Sequence, residues 1–119
     1  MFITTELGGD LIVSFAIENP AEPMEIHSLT LLRTPKFESL LDPEERGVSV
    51  SFDRYLDDDD RRDLLEVVNF SEKEKTVHLE TSLHWYDLDL RKVDAQEIRE
   101  MCKVFRKMNR DGRFQCEGL

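Results

Sequence analysis

The chain has 119 residues, of which 39% are hydrophobic and 35% charged, with a net charge of −10. That length supplies one hydrophobic core and too little for two, and the composition excludes a disordered chain. The negative balance opposes nonspecific binding to nucleic acid or anionic lipid, and no run approaches the roughly 18 apolar residues of a membrane span. One globular domain over residues 1–119 is expected. Met1-Phe2-Ile3-Thr4-Thr5-Glu6 lacks a signal-peptide pattern, so a cytoplasmic location is expected by default.

Ile3 to Leu7 and Leu11 to Ile17 predict a hairpin. A three-residue loop, Gly8-Gly9-Asp10, sets Leu7 opposite Leu11, Thr5 opposite Val13 and Ile3 opposite Phe15, which gathers apolar residues on one face. A two-residue loop would oppose Glu6 to Leu11, so the longer loop is expected, with glycine supplying a positive φ. Asn19-Pro20-Ala21-Glu22-Pro23 stops the second strand, because proline offers no ladder donor.

Met24 to Arg33 reads as a third strand whose apolar phase slips, from Met24 and Ile26 to Leu29 and Leu31. A bulge near His27 and Ser28, or a change of face, would account for it. Thr34-Pro35 and Asp42-Pro43 each place proline at the first position of a short helical turn. Val48, Val50 and Phe52 then alternate with Ser49, Ser51 and Asp53 as a strand. The acidic run Asp57 to Asp60, followed by Arg61-Arg62-Asp63, reads as a solvated connector or a helix start. It lacks the glycine and distal glutamate of a calcium loop.

Leu65 to Phe70 and Thr76 to Leu83 predict a second hairpin. A four-residue loop, Glu72 to Lys75, brings Phe70 opposite Val77 and Val68 opposite Leu79, with Asn69 and His78 outside. Beyond Leu83 the apolar phase changes to Tyr86, Leu88 and Leu90, and a turn near Ser82 explains this better than a bulge. Asp94, with Glu97 three residues on, forms a capping box, while Val93 and Ile98 form a hydrophobic staple. At 100° per residue Ile98, Met101, Cys102, Phe105 and Met108 share one face of the helix, with Val104 at its edge. Asn109 to Gly112 ends the helix, and Phe114 to Cys116 suits a short last strand. The fold class is therefore α+β: six or seven mostly antiparallel strands curling around one apolar face, with one C-terminal amphipathic helix packed on it.

Charge is segregated. Residues 1–90 hold 8 Lys and Arg against 21 Asp and Glu, whereas residues 91–113 hold 8 against 4. Arg99, Lys103, Arg106, Lys107 and Arg110 share the helix face opposite the apolar one, and this stripe is the candidate partner-binding site. Such a stripe also complements the helix dipole and solvates an exposed face. An acidic protein surface fits it, including a second copy of the chain. Nucleic acid fits less well, because the rest of the chain repels it and no aromatic residues interleave with the stripe.

The remaining constellations carry little chemistry. His78, Glu80 and His84 share strand parity, but in one continuous strand the two histidines stand about 20 Å apart, and His27 shows no partner. Asp87 and Asp89 have the spacing of paired carboxylates, but no catalytic partner on a second strand and no cleft is visible in the sequence. Trp85 and Tyr86 point to opposite sides of a strand, and both are expected to be covered by core or loop. Two cysteines, Cys102 and Cys116, are too few for a disulfide framework and are expected to be buried thiols. No catalytic residue, metal or cofactor is expected. The function expected is a non-enzymatic protein-interaction module, with a nucleic-acid-associated protein or a small-molecule binder or enzyme with a pocket in the sheet as the alternatives.

Overall fold

The computed structural model describes residues 1–19, 21–53 and 63–119. Eight strands and one α-helix make an α+β fold: β1 (Phe2–Leu7), β2 (Leu11–Asn19), β3 (Glu22–Arg33), β4 (Ser49–Phe52), β5 (Leu65–Ser71), β6 (Thr76–Thr81), β7 (Trp85–Asp89), α1 (Ala95–Met108) and β8 (Gln115–Glu117). Two short 3-10 turns, Pro35–Leu40 and Pro43–Glu45, link β3 to β4, each with proline in its first turn as expected. Among the described residues no helix is long and apolar enough to cross a membrane. The acidic run Asp57 to Asp60 and its two arginines lie outside the described residues.

The strands form two four-stranded sheets, ordered β1-β2-β3-β4 and β7-β6-β5-β8, so the count exceeds six or seven. The first hairpin has the expected register, Leu7 opposite Leu11 and Ile3 opposite Phe15. Its glycines behave otherwise: neither Gly8 nor Gly9 takes a positive φ. The loop is held instead by a bond from Gly8 N–H to the Asp10 carbonyl oxygen at 3.2 Å and by Thr34 Oγ1 donating to Asp10 Oδ1 at 2.9 Å.

β2 and β3 pair without a break from Glu18 and Ile26 to Leu11 and Arg33, and their register shifts only at Glu18/Asn19. No bulge therefore lies at His27 and Ser28. Leu29 and Leu31 face the core, while Ile26 lies on the open face and is 50% exposed. The change of face, the second of the two explanations, holds.

The second hairpin also has the expected register, with Val68 opposite Leu79 and Phe70 opposite Val77. A turn at Ser82 returns the chain as β7, closed by the Thr81 N–H donating to the His84 carbonyl oxygen at 2.8 Å. β8 pairs with β5 in parallel. Parallel neighbours need a long crossover, and β6, β7 and α1 supply it.

The two sheets meet at β4 and the start of β5. Ser49 bridges Leu64, the Leu65 N–H donates to the Val48 carbonyl oxygen at 2.9 Å, and Phe52 meets Tyr86 edge to face at 5.7 Å. Ile98, Met101, Cys102, Val104, Phe105 and Met108 form the buried face of α1. That face packs against β1 and β2, covering Val13 and Phe15, both of which have no exposed surface. Each such Val or Phe contributes about 1.5 to 3 kcal/mol by leaving water.

Candidate functional site

The N-terminus of α1 is fixed by Asp94, whose carboxylate accepts from the Gln96 N–H at 2.7 Å. The bond reaches the second helical residue rather than the third-position amide of a capping box, and it sets the helix rotation all the same. With the apolar face turned inward, Arg99, Lys103, Arg106, Lys107 and Arg110 all stand exposed. Arg99 Nη2 donates to Gln96 Oε1 at 2.7 Å, and Lys103 Nζ lies 3.6 Å from Glu100 Oε1. Among the described residues the other three make no side-chain hydrogen bond or ion pair, so their charge is free to meet an incoming group.

The structure divides the stripe. Arg99, Lys103 and Arg106 border a groove of about 500 Å³ between α1 and the end of β5, whose floor includes Phe70 and Ile98 and whose far wall includes Glu72 and Lys75. Gly118 lets the chain pass close behind it, because a Cβ there would stand 1.9 Å from the Phe70 carbonyl oxygen. Lys107 and Arg110 instead border a hollow of about 180 Å³ beside Arg33 and Asp111. The groove joins cationic side chains to an apolar floor, which suits an acidic segment with an apolar residue.

Arg33 is the charged residue that a reading of the sequence overlooks. It is buried at 7% exposure, where its guanidinium binds Glu38, Asp111 and the Met108 carbonyl oxygen. The hydrogen bonds it donates to Asp111, then to Glu38, push its pKa further above the usual arginine range. Its parity with Leu29 and Leu31 was the available signal, since a residue in phase with two buried leucines faces inward.

The cysteines separate. Cys102 is buried and lines the groove, and burial pushes its thiol up against a smaller downward pull from Arg106. Cys116 is exposed, contrary to expectation, with Asn109 Nδ2 donating to its sulfur at 3.4 Å. Three-residue β8 lies at the edge of its sheet with every side chain exposed, so nothing covers the thiol.

On the outer face of β6 and β7, His78 Nδ1 lies 2.5 Å from Asp87 Oδ1 and Nε2 lies 3.3 Å from Glu80 Oε1. These bonds, that to Asp87 foremost, raise the imidazole pKa. Asp89 turns to Arg91, whose hydrogen bonds hold its carboxyl at about 2. The two aspartates are thus engaged separately and do not form an acid–base pair. His84 packs near Tyr86, with ring centroids 6.2 Å apart. His27, for which no partner was expected, has its Nδ1 3.1 Å from Asp53 and its Nε2 2.9 Å from Glu25, the latter too poorly aligned for a hydrogen bond. Among the described residues no group of three His, Cys, Asp or Glu is placed to hold a metal ion. Tyr86 is buried as expected, but Trp85 is 67% exposed, which corrects the expectation of cover for both rings.

Comparison with family models, with curated proteins and with solved structures found no match.

Proposed function

We propose that this protein is a non-enzymatic protein-interaction module, and that α1 presents its cationic stripe to an acidic surface of a partner. The observation that carries this reading is the exposure of all five stripe cations, three of them bordering a groove with an apolar floor. A solvated helix face needs charge but no groove beside it. Across an otherwise acidic body such a patch steers an acidic partner and rejects other cationic surfaces. Nucleic acid is the weaker occupant, because the net charge of −10 acts against a phosphate backbone at every distance the salt does not screen. Two free thiols suit the reducing environment of the cytoplasm.

The test is the double substitution Lys103→Glu with Lys107→Glu, compared with the parent for binding to an acidic protein recovered with it. Exposed charges add little to stability, so the variant should fold normally, associate more slowly and lose most of the salt dependence of binding. Equal binding by parent and variant would refute the reading. So would tight, steeply salt-dependent binding of RNA or DNA by the parent.

A further inference from the structure

The groove between α1 and the end of β5 has a cation on its far wall that does not belong to the helix stripe. Lys75 stands there, across from Arg99, Lys103 and Arg106. It closes the β5–β6 turn, where its φ of 56° is left-handed and its carbonyl oxygen accepts from the Leu90 N–H at 2.7 Å. Among the described residues no other non-glycine residue has a positive φ. Glycine or asparagine takes that conformation at less cost, so a lysine here is strain kept in the free chain, beside a groove. Among the described residues neither Lys75 nor Arg106 makes a side-chain hydrogen bond or ion pair. The carboxylates on the walls are Glu72 and Glu100, and Glu100 is already engaged by Lys103 and by Gln96 Nε2, which donates to it at 3.1 Å.

We propose that this groove holds an extended acidic peptide, with carboxylates on Lys75 of one wall and Arg106 of the other and a large apolar side chain seated between them on Phe70 and Ile98. The inference rests on the interaction reading above and specifies the form of the partner. Shape selects a single strand of chain. A folded acidic face would meet the stripe from outside and pass over the floor, leaving Phe70 half-buried and Lys75 unengaged. An extended segment enters the groove, and its successive side chains point in opposite directions, so it addresses both walls. Arg99 to Arg106 spans about 10.5 Å along the helix, which about three extended residues match.

Charge selects acid and limits its amount. The net charge of −10 repels anions at long range, but salt screens it beyond about 8 Å, and within that distance the four groove cations act. A segment with two or three carboxylates stays inside that range. A nucleic-acid backbone continues past it onto the acidic body.

Fluorescence anisotropy of labelled seven-residue peptides, titrated with the full chain, provides the test. The probes consist of Ser, Asp and Glu around a central Leu, Phe or Met. At least one should bind the parent, and replacing its central residue with Ser should weaken binding about tenfold or more. Lys75→Asn and Arg106→Gln should each weaken it about threefold to fivefold. Lys73→Gln, in the same turn, and Arg110→Gln, on the same stripe, both lie outside the groove and should change it by less than about twofold. Lys75→Asn should melt no lower than the parent, because asparagine accepts the positive φ more readily, so its lost affinity is not a folding defect. A parent that binds none of the three probes overturns the inference, as does binding that survives Lys75→Asn unchanged or yields to an equal concentration of single-stranded oligonucleotide. If the parent then still binds the acidic protein of the stripe test, the interaction reading stands without the groove; if it binds neither, both fall.

Discussion

Arg33 and Asp111, 78 positions apart in sequence, meet in a two-bond fork, Nη1 to Oδ1 at 2.8 Å and Nη2 to Oδ2 at 2.7 Å. The same Nη1 donates to the Met108 carbonyl oxygen at 2.5 Å, so one guanidinium caps the C-terminus of α1 and ties it to the end of β3. Removing one member of a buried pair strands the other, at about 3 to 5 kcal/mol. Asp111 is 44% exposed and recovers water, so Arg33→Ala is expected to cost about 2 to 3 kcal/mol. A double-mutant cycle with Asp111→Asn in denaturant unfolding measures the coupling.

The same pair predicts acid sensitivity. The Arg33 guanidinium holds the Asp111 carboxyl well below the usual carboxylate range. A lowered folded pKa stabilises above the unfolded value of about 3.9 and ceases to do so as pH falls through the folded one. Below about pH 4 the parent should lose stability more steeply than Asp111→Asn, as followed by thermal melting across an acid series. Parallel curves would show that the pair contributes nothing to acid stability.

For His78 the sign reverses. Its pKa is raised by Asp87 and Glu80, so its contribution is fully present below the unfolded value of about 6.5 and is lost as pH rises through the folded value. His78→Gln should therefore lower the melting temperature more at about pH 6 than at about pH 9. The ring is open to solvent, so the effect is small and weakens with salt. An equal deficit at both pH values would mean that the ring acts through packing alone.

The helix is a stability element. Phe105 has no exposed surface, and Phe105→Ala should cost about 3 to 5 kcal/mol. Loss of the Asp94 cap in Asp94→Ala should cost about 1 kcal/mol. Urea unfolding measures both, and a Phe105→Ala protein as stable as the parent would disprove the packing of α1.

The two thiols should differ in rate. Cys116 is exposed and should react with a thiol reagent in the native state, while Cys102, buried and with its pKa raised, should wait for local or global unfolding. Mass spectrometry of the labelled chain separates them. Equal rates would show that Cys102 is not sheltered.

Both hairpin registers, the proline-led turns and the two faces of α1 follow from the sequence alone, because each is set by neighbours in the chain. Side-chain period, loop length and cap chemistry leave one arrangement that gathers Ile3, Val13 and Phe15, or Ile98, Met101 and Phe105, on a single side. The stripe Arg99 to Arg110 was legible for the same reason. Tertiary structure decided what covers each face. Parity puts Trp85 with Asp87 and Asp89 and Arg33 with Leu29 and Leu31, yet it cannot say that the first group meets solvent and the second meets α1 and its C-terminal turn. The parallel seat of β8 on β5, the exposure of Cys116 and the groove beside Arg99, Lys103 and Arg106 arise from elements that become neighbours only once the chain has turned back through β6, β7 and α1. Such contacts join residues too far apart for any local period to record, and burial against a specific neighbour sets their energy.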